Sequence, residues 1–411
     1  MPQENNQRLF WLIRPDQMGK DILRGATNHY NGFLVDATLA PHICNFVKDT
    51  RKPFIVNPML YVFSLPTEML LNHETGKIRN CYQRMAQYYG QVFQKKLGKN
   101  PLTPLDYNSI DIDQTTENIL HFQDQKCSGQ LELSDIDPIL QKKYQTDIKT
   151  TFLGKSNLEP NFYLAPYFCC DQEGWYDLSL KFTKSAIKVT NGHRLVYAVI
   201  FLLAKTLRDT TRLDMIINDY SELNVGGYII WINNLRYADA SLGQLLGLKY
   251  LITKLSQTKK PIINLYGGYF SATLNHFGLS GFASGLAKSE GKHAFRPFIP
   301  NKEFKRPKPN YYIYKVHQAV DVSKAEKVLK EYHALQCSCK VCRRLTDNFS
   351  QMVEPVNAYS HFMNIRHKEF KTVSAGLNTV IKDLKETISE LGDNSPFKTE
   401  SLKRWKQALE D

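Results

Sequence analysis

Residues 228–266 are YIIWINNLRYADASLGQLLGLKYLITKLSQTKKPIINLY, and this stretch decides the expected fold. It contains two continuous apolar runs, at 228–232 and 261–266, on either side of an amphipathic helical segment at about 240–256. Apolar runs without alternation indicate strands that are covered on both faces, and a helix between two such strands indicates parallel pairing. The stretch therefore predicts one strand–helix–strand unit of an α/β fold.

The same pattern recurs along most of the chain. Further strands are predicted at Gly32–Asp36, Pro53–Pro58, Phe162–Pro166, Val196–Ile200, Gly281–Ser284 and Tyr311–Val316. A helix is predicted at about 77–96, and an irregular insertion at about 98–160. About eight such units favour a (β/α)8 TIM-like barrel over about residues 1–325. An open doubly wound sheet is the alternative.

Composition and charge narrow the class of protein. The chain of 411 residues has 42% hydrophobic and 23% charged residues, which is typical of a globular protein. Its formal net charge of +13 favours polyanionic partners, nucleic acid above all. The N-terminus lacks the pattern of a secretory signal, and the longest apolar run, Leu195–Ala204, is too short to cross a bilayer. Cysteines scattered among apolar neighbours indicate a reducing compartment, so we expect a cytoplasmic protein without a membrane segment.

A cluster of cysteines predicts a metal site. Cys337, Cys339 and Cys342 lie within six residues, and His367 follows a helix length further on. Soft thiolates and an imidazole suit one tetrahedral Zn²⁺. Four protein ligands close the coordination sphere, so the predicted zinc is structural rather than catalytic. His361 is a rival fourth ligand. We therefore expect a zinc-binding helical subdomain at 326–411.

Barrel-like alternation, followed by Cys-x-Cys-x-x-Cys and a histidine about 25 positions later, resembles the tRNA-guanine transglycosylase superfamily. The resemblance implies a (β/α)8 barrel that carries a zinc subdomain with this ligand order. It also implies base exchange, in which an aspartate attacks C1′ of a nucleoside, guanine departs and a 7-deazaguanine base takes its place. Because the barrel motifs diverge from those of the tRNA enzymes, the similarity favours the DNA-acting branch, with DNA rather than tRNA as the substrate.

This chemistry requires two acidic residues at the carboxyl end of the barrel. Asp36, at the end of a predicted strand, is the candidate for the family's early aspartate, with a helix N-cap or a turn as its alternative role. The family's late-strand motif Gly-x-Asp-x-Phe-Asp is absent, because residues 278–285 contain no aspartate. Asp239 and Glu290 are the nearest acidic residues and are therefore candidate nucleophiles.

Two other functions stay open at this point. In one, the protein has kept the transglycosylase scaffold but lost the nucleophile, and is a non-catalytic nucleic-acid-binding subunit. A barrel enzyme of unrelated chemistry with a coincidental zinc site is the third hypothesis. The sequence is compatible with a homodimer or with partner subunits.

Three further groups of residues are candidates for ligand contacts. Asn233 and Asn234 follow a strand and could bind a base edge, although asparagine pairs are common in turns. Gly267, Gly268 and Tyr269 open a helix after a strand, which suits a phosphate or a planar base, or a simple turn. Basic residues that lie among aromatic ones or near the cysteine cluster suit a nucleic-acid surface: Lys288, Lys292, Arg296, Lys305, Arg306, Arg343, Arg344 and Arg366.

Overall fold

Eight parallel strands form one sheet that is nearly closed into a barrel. The computed structural model describes residues 9–16, 19–72, 75–128, 160–172, 174–286, 291–295, 310–392, 397 and 399–411. The barrel strands are β1 (Phe10–Ile13), β2 (Gly32–Asp36), β3 (Phe54–Asn57), β4 (Tyr163–Leu164), β5 (Val196–Leu203), β6 (Gly227–Asn233), β7 (Ile262–Asn264) and β8 (Gly281–Ser284). Their order around the sheet is β3-β2-β1-β8-β7-β6-β5-β4. Two hydrogen bonds of 2.9 and 3.1 Å join Phe54 to Asn161, just before β4, across the remaining seam. The predicted TIM-like barrel is therefore confirmed.

Two strand assignments differ from the prediction. The first barrel strand, β1, was not predicted, because four apolar residues after a polar N-terminus offer no periodicity to recognise. The predicted strand at 311–316 lies outside the barrel. Its first part forms β9 (Tyr311–Ile313), which pairs antiparallel with β10 (Gln318–Val320) in a separate two-stranded sheet. An apolar run alone does not reveal which neighbour a strand will pair with.

Helices cover the outside of the sheet and form a C-terminal arm. The barrel helices are α1 (Lys20–Gly25), α2 (Ala40–Thr50), α3 (Asn80–Tyr89), α4 (Gln91–Lys96), α5 (Ile112–Ser128), α6 (Trp175–Thr190), α7 (Thr210–Ser221), α8 (Leu242–Ser256) and α9 (Tyr269–Thr273). The arm contains α10 (Val322–Glu331), α11 (Lys340–Arg344), α12 (Pro355–Ser374), α13 (Leu377–Leu391) and α14 (Glu400–Glu410). Short 3-10 helices occupy Thr27–His29, Leu60–Ser64, Thr67–Leu70, Pro104–Tyr107, Ala204–Arg208, Leu274–Phe277, His333–Leu335 and Phe349–Val353.

Local sequence explains several of these boundaries. The single helix predicted at 77–96 is divided into α3 and α4 by Gly90, which has φ 128°. Ser241 and Gln244 form a reciprocal capping box at the start of α8. Among the residues that the structure describes, no helix is both long and apolar enough to cross a bilayer.

Side-chain alternation along the strands separates two layers of core. Phe33 and Val35 of β2 pack outward against helices, whereas Leu34 packs inside the barrel. Asp36 shares the inward direction of Leu34, because successive side chains of a strand point to opposite faces. The same rule turns Asn57 of β3 and Asn233 of β6 toward the barrel axis at the carboxyl ends of their strands.

The C-terminal arm packs on the outer layer of the barrel rather than standing apart. Phe362 and Phe370 of α12 make edge-to-face contacts with Trp11 of β1, at centroid distances of 6.2 and 5.5 Å. In α14, the indole of Trp405 donates to the carbonyl oxygen of Tyr237 at 2.9 Å. One continuous hydrophobic cluster therefore joins the arm to the barrel.

Candidate active site and metal centre

A buried carboxylate lies at the carboxyl end of the barrel, surrounded by polar groups from four strand ends. Asp36 is 1% exposed. Its Oδ2 accepts from Arg14 Nε at 2.7 Å, and Lys292 Nζ lies 3.4 Å from the same oxygen. Its Oδ1 accepts from Asn57 Nδ2 at 3.1 Å, and the hydroxyl of Tyr266 lies 3.5 Å away. We call these five residues the mouth cluster.

Backbone geometry at the strand ends places two members of the mouth cluster. Arg14 follows β1, where its amide donates to the carbonyl oxygen of Ser284 at 2.8 Å and so continues the pairing with β8. Tyr266 follows β7 and has φ 58°. A left-handed conformation costs a non-glycine residue about 1–2 kcal/mol, so the turn persists because its surroundings hold it. Strain of this kind is concentrated at functional sites.

Lys292 is held in place by its own short segment. The amide of Gly291 donates to the carbonyl of Tyr266, and the carbonyl of Lys292 accepts from the amide of Asn234, both at 2.9 Å. The amide of Ala294 donates to Asn233 Oδ1 at 2.7 Å. Gly291 has φ 84°, and a Cβ there would lie 2.7 Å from the carbonyl oxygen of Leu235. Only glycine fits this approach, which brings Lys292 over the mouth of the barrel.

The electrostatics of the mouth cluster keep Asp36 ionised. Burial alone would raise the pKa of Asp36, but the charges of Arg14 and Lys292, together with hydrogen bonds from Arg14 and Asn57, lower it to about 2. Burial lowers the pKa of Lys292 to about 8, and the attraction of Asp36 only partly opposes this effect. The charge of Asp36 raises the pKa of Arg14. At neutral pH the cluster therefore contains one carboxylate and two cations.

An aromatic wall lies beside the mouth cluster. The rings of Phe201 and Trp231 stack at a centroid distance of 3.9 Å and an angle of 8°, and Phe295 lies nearly parallel to Phe201 at 5.9 Å. Lys292 Nζ lies 5.7 Å from the Trp231 ring and 5.0 Å from the Tyr266 ring. Trp231 is fully buried, and its Nε1 has no hydrogen-bond partner among the residues that the structure describes. Of the three rings, Phe201 and Trp231 are buried and Phe295 is partly exposed, so a planar ligand could stack at the Phe295 end of the wall.

A cleft of about 560 Å³ adjoins the mouth cluster on its rim. Its lining includes Asn234, Arg236, Asp239, Gln244 and His293, and we call it the rim cleft. Both Asn234, a predicted ligand contact, and Asp239, a predicted catalytic residue, are exposed in this cleft. His293 follows Lys292 directly in the chain, so the rim cleft is adjacent to the mouth cluster.

The predicted metal site forms, but with a different histidine. One ligand atom from each of Cys337, Cys339, Cys342 and His361 lies within 4.8 Å of the others. His361 Nδ1 is 3.4 Å from Cys339 Sγ and 3.2 Å from Cys342 Sγ. The prediction of His367 as fourth ligand is wrong. Its ring instead lies 5.2 Å from that of His29 on another face of α12.

The donor set fits a zinc ion. Nε2 of His361 lies 2.7 Å from the carbonyl oxygen of Tyr312, a contact that requires a proton on Nε2. In the neutral ring, Nδ1 then keeps its lone pair toward the three thiols, which is how metal-binding imidazoles are oriented. The ring of Tyr311 stacks on His361 at 4.3 Å and fixes its plane. Three thiolates and one imidazole would occupy all four tetrahedral positions, so a bound zinc would be structural.

Four other residues predicted to contact a ligand do not do so. Arg366 is 1% exposed, and its Nη1 lies 2.7 Å from Glu369 Oε2, so it cannot reach a phosphate. Tyr269 is buried and stacks on His317 at 3.6 Å, away from any open surface. Gly267 and Gly268 are also buried, and the amide of Gly267 donates to the carbonyl of Ala283, so it is not free to bind an anion.

The remaining predicted residues divide by position. Arg343 and Arg344 are exposed on α11 beside the metal centre, and Arg344 also donates to Asn357 Oδ1 at 2.7 Å. Asn233 is buried and anchors the Lys292 segment instead of facing solvent. Five predicted residues lie outside the described part of the chain: Lys288, Glu290, Arg296, Lys305 and Arg306.

Three members of the mouth cluster were missed in the sequence. Asn57 could have been found, because it ends a predicted strand with the same inward alternation as Asp36. Arg14 was missed together with β1, the strand that it follows. Tyr266 lies beyond the last residue of β7, and its left-handed backbone has no sequence signal in a tyrosine.

Comparison with solved structures gives distant matches to the barrel fold. No family model matches the chain, and no curated protein does. One similar solved structure is a variant of an intracellular xylanase from Thermoanaerobacterium saccharolyticum in complex with xylotetraose, at 8% identity and a TM-score of 0.33, covering 72% of this chain and 90% of that one. A second structure of the same xylanase has 10% identity and a TM-score of 0.30, and covers 73% of this chain and 94% of that one.

Proposed function

We propose that this protein exchanges a guanine base in nucleic acid, DNA in preference to tRNA, for a 7-deazaguanine derivative. The observation that carries the proposal is Asp36, an ionised carboxylate that points inward at the carboxyl end of a (β/α)8 barrel, beside an aromatic wall. Active sites of such barrels are built at this end. The choice of reaction comes from the resemblance that the Cys-x-Cys-x-x-Cys sequence carries, although the histidine that completes the site is His361 and not the His367 of the family spacing.

We assign to Asp36, and not to the absent late-strand aspartate, the attack on the nucleoside C1′, because Asp36 has the properties that this step needs. It is charged throughout the physiological pH range, since its pKa is about 2. Arg14 and Lys292 hold it, and both are partly exposed, at 36% and 20%, so an incoming nucleotide can displace them from its oxygens. The carboxylate would form a covalent bond to C1′ while the base leaves, and the second base would reverse this step.

The aromatic wall and the surrounding charge suit an extruded nucleotide. Phe201 and Trp231 are buried, whereas Phe295, nearly parallel to Phe201, is partly exposed and is the ring of this wall on which a purine could stack. Arg14 at the mouth, Arg236 on the rim and Arg343 on the arm would contact phosphates. Zinc bound at the Cys337 centre would hold α11 and α12 together, and would take no part in the chemistry.

Incorporation of radiolabelled guanine tests the proposal without knowledge of the natural incoming base. Guanine-for-guanine exchange uses the same covalent intermediate, so we expect the purified chain to label duplex DNA, single-stranded DNA or bulk tRNA, with DNA labelled faster. The variants Asp36→Asn, Asp239→Asn and Glu290→Gln are measured in parallel. We expect Asp36→Asn to abolish labelling.

The same measurement separates the two principal hypotheses. If the parent chain binds nucleic acid but labels none of the three substrates, the protein is a binding subunit and the transglycosylase proposal is wrong. If Asp36→Asn labels as fast as the parent, the carboxylate at the mouth is not the nucleophile. A loss confined to Asp239→Asn or Glu290→Gln would transfer the role to that residue.

A further inference from the structure

We propose that Lys292 is the second catalytic group of this site, and that its side-chain nitrogen gives a proton to the departing base and takes one from the incoming base. The inference rests on the proposed function, in which Asp36 takes the place of the missing late-strand nucleophile, and it assigns the acid and base role that a second carboxylate would otherwise have. It uses a cation in place of a carboxylate. Lys292 was predicted from the sequence only as a phosphate contact.

Position is the first reason for this assignment. Lys292 Nζ lies 3.4 Å from Asp36 Oδ2 and 3.1 Å from the hydroxyl of Tyr266. It also lies over the faces of Trp231 and Tyr266, at the inner end of the aromatic wall whose outer ring, Phe295, is partly exposed. The side chain is 20% exposed, whereas Asp36 is 1% exposed, so Lys292 lies on the side from which a nucleotide arrives. By contrast, Asp239 is exposed on the rim.

The segment that carries Lys292 is built for a fixed position. Backbone hydrogen bonds tie Gly291 to Tyr266 and Lys292 to Asn234, and the Asn233 side chain holds Ala294. Each of these partners belongs to the end of β6 or β7. A lysine needed only for phosphate binding would not require such anchoring, because phosphate contacts tolerate mobile side chains.

Burial lowers the pKa of Lys292, and the groups that face it modify this effect. Asp36 from β2 attracts its charge, Arg14 after β1 repels it, and the hydroxyl of Tyr266 after β7 lies against it. The hydroxyls of Tyr61 and Tyr167 interact with Tyr266 from the 3-10 helix after β3 and from the segment after β4, and burial raises the pKa of all three tyrosines, which keeps them neutral. Lys292 is left with a pKa of about 8, close to the value at which one group can both give and take a proton.

The proposed steps balance. As Asp36 forms its bond to C1′, the electrons of the C1′–N9 bond pass to the departing guanine, and the Lys292 ammonium gives that base a proton. The guanine leaves neutral, and Lys292 becomes a neutral amine. The incoming base then gives its N9 proton to that amine while N9 bonds to C1′, and the C1′–O bond electrons return to Asp36. The cycle ends with Lys292 protonated again and needs no other reactant.

The test compares variants of Lys292 in the guanine-incorporation assay between pH 5.5 and 9.5. Lys292→Arg keeps the charge beside Asp36 but cannot release its proton, and Lys292→Ala removes both. Lys260→Arg is the matched control. That lysine is also partly buried over a tyrosine ring, Tyr228, with a pKa lowered by burial, but it precedes β7 at the opposite end of the barrel. Thermal melting of each variant checks folding.

We expect the parent rate to be level at acidic and neutral pH and to fall above about pH 8, as the ammonium that starts the reaction is lost. Lys292→Arg should lower the rate by about 10²–10⁴-fold and remove that alkaline fall. Ethylammonium added to Lys292→Ala should restore part of the rate, and Lys260→Arg should behave as the parent.

Two results overturn the inference. If Lys292→Arg retains the parent rate and the alkaline fall, while Asp36→Asn is inactive, the transglycosylase proposal survives but Lys292 is not the acid and base. If the parent incorporates no guanine into any of the nucleic acids, the proposed function and this inference both fail.

Discussion

Asp36 in the barrel mouth and Glu369 in the C-terminal arm are both fully buried carboxylates, and each has an arginine beside it. Glu369 lies 2.7 Å from Arg366 Nη1 and 2.6 Å from His317 Nδ1. It also accepts from the Tyr312 hydroxyl at 2.8 Å. The pKa of each carboxyl is lowered, against an opposing effect of burial, mainly by the neighbouring arginine.

The two clusters differ in the exposure of their partners. The side chains of Arg366 and His317 are each 1% exposed, whereas Arg14 and Lys292 are 36% and 20% exposed. A carboxylate whose partners are all sealed can only join helix α12 to its neighbours. A carboxylate whose partners reach solvent can exchange them for a ligand. Burial and charge therefore do not identify a functional carboxylate, and the exposure of its cations is the better criterion.

The largest effect should come from Asp36→Asn, with Glu369→Gln as the matched change from a buried carboxylate to an amide. We expect Asp36→Asn to lower the rate of guanine incorporation by about 10⁴-fold or more, because loss of a covalent nucleophile typically costs this much. Glu369→Gln should incorporate guanine at close to the parent rate per folded molecule. An equal loss of guanine incorporation in both variants would contradict the assignment of a catalytic role to the mouth cluster alone.

The second test compares the stability of the same two clusters, and here we expect the larger effect in the arm. Glu369→Ala leaves Arg366 buried without a counter-charge, so we expect it to lower the free energy of unfolding by about 3–5 kcal/mol. Asp36→Ala should cost less, because Arg14 and Lys292 can turn toward water. Urea unfolding followed by circular dichroism measures both. A Glu369→Ala variant as stable as the parent would show that its cluster is not a structural support.

The sequence predicted the barrel because most of its strands are uninterrupted apolar runs. It predicted that Asp36 lies at the carboxyl end of the barrel because that residue ends such a run. It could not predict the mouth cluster as a unit. Lys292 is separated from Asp36 by 256 positions, and only closure of the barrel brings them together. The short hairpin at Tyr311 carries the same apolar pattern as a barrel strand, so pattern alone placed it in the wrong sheet.

Helix phase explains why the wrong histidine was chosen for the metal. His361 and His367 lie on one helix, and six residues turn an α-helix by about 240° beyond a full rotation. Only one of the two can therefore face the cysteines, and the distance along the chain does not say which. The face is set by packing against β9, where the Tyr312 carbonyl and the Tyr311 ring hold His361.

These two histidines provide the third test, which concerns the metal cluster of the arm. The parent should contain one zinc per chain by elemental analysis. His361→Ala should weaken zinc binding by at least about 10–100-fold, the cost usually seen for disturbing even an outer partner of a zinc ligand. A zinc-chelator competition measures the change, and His367→Ala should leave it within about twofold. Loss of zinc from His367→Ala alone would contradict the cluster geometry.

The smallest expected effect is on nucleic-acid binding by the exposed surface of the arm. It tests whether the arm has a role beyond supporting the structure. Arg343 is exposed on α11, directly after Cys342, and should contact a phosphate of bound nucleic acid. Each phosphate contact contributes about 0.9 to the slope of log affinity against log salt concentration, so Arg343→Ser should reduce that slope by about one. Lys382→Ser is the control, because Lys382 is also exposed and basic but pairs with Glu386 on α13. Fluorescence anisotropy with a labelled duplex across salt concentrations measures both slopes. An unchanged slope in Arg343→Ser would confine nucleic-acid contact to the barrel side, and the arm would then differ from the mouth in function as well as in structure.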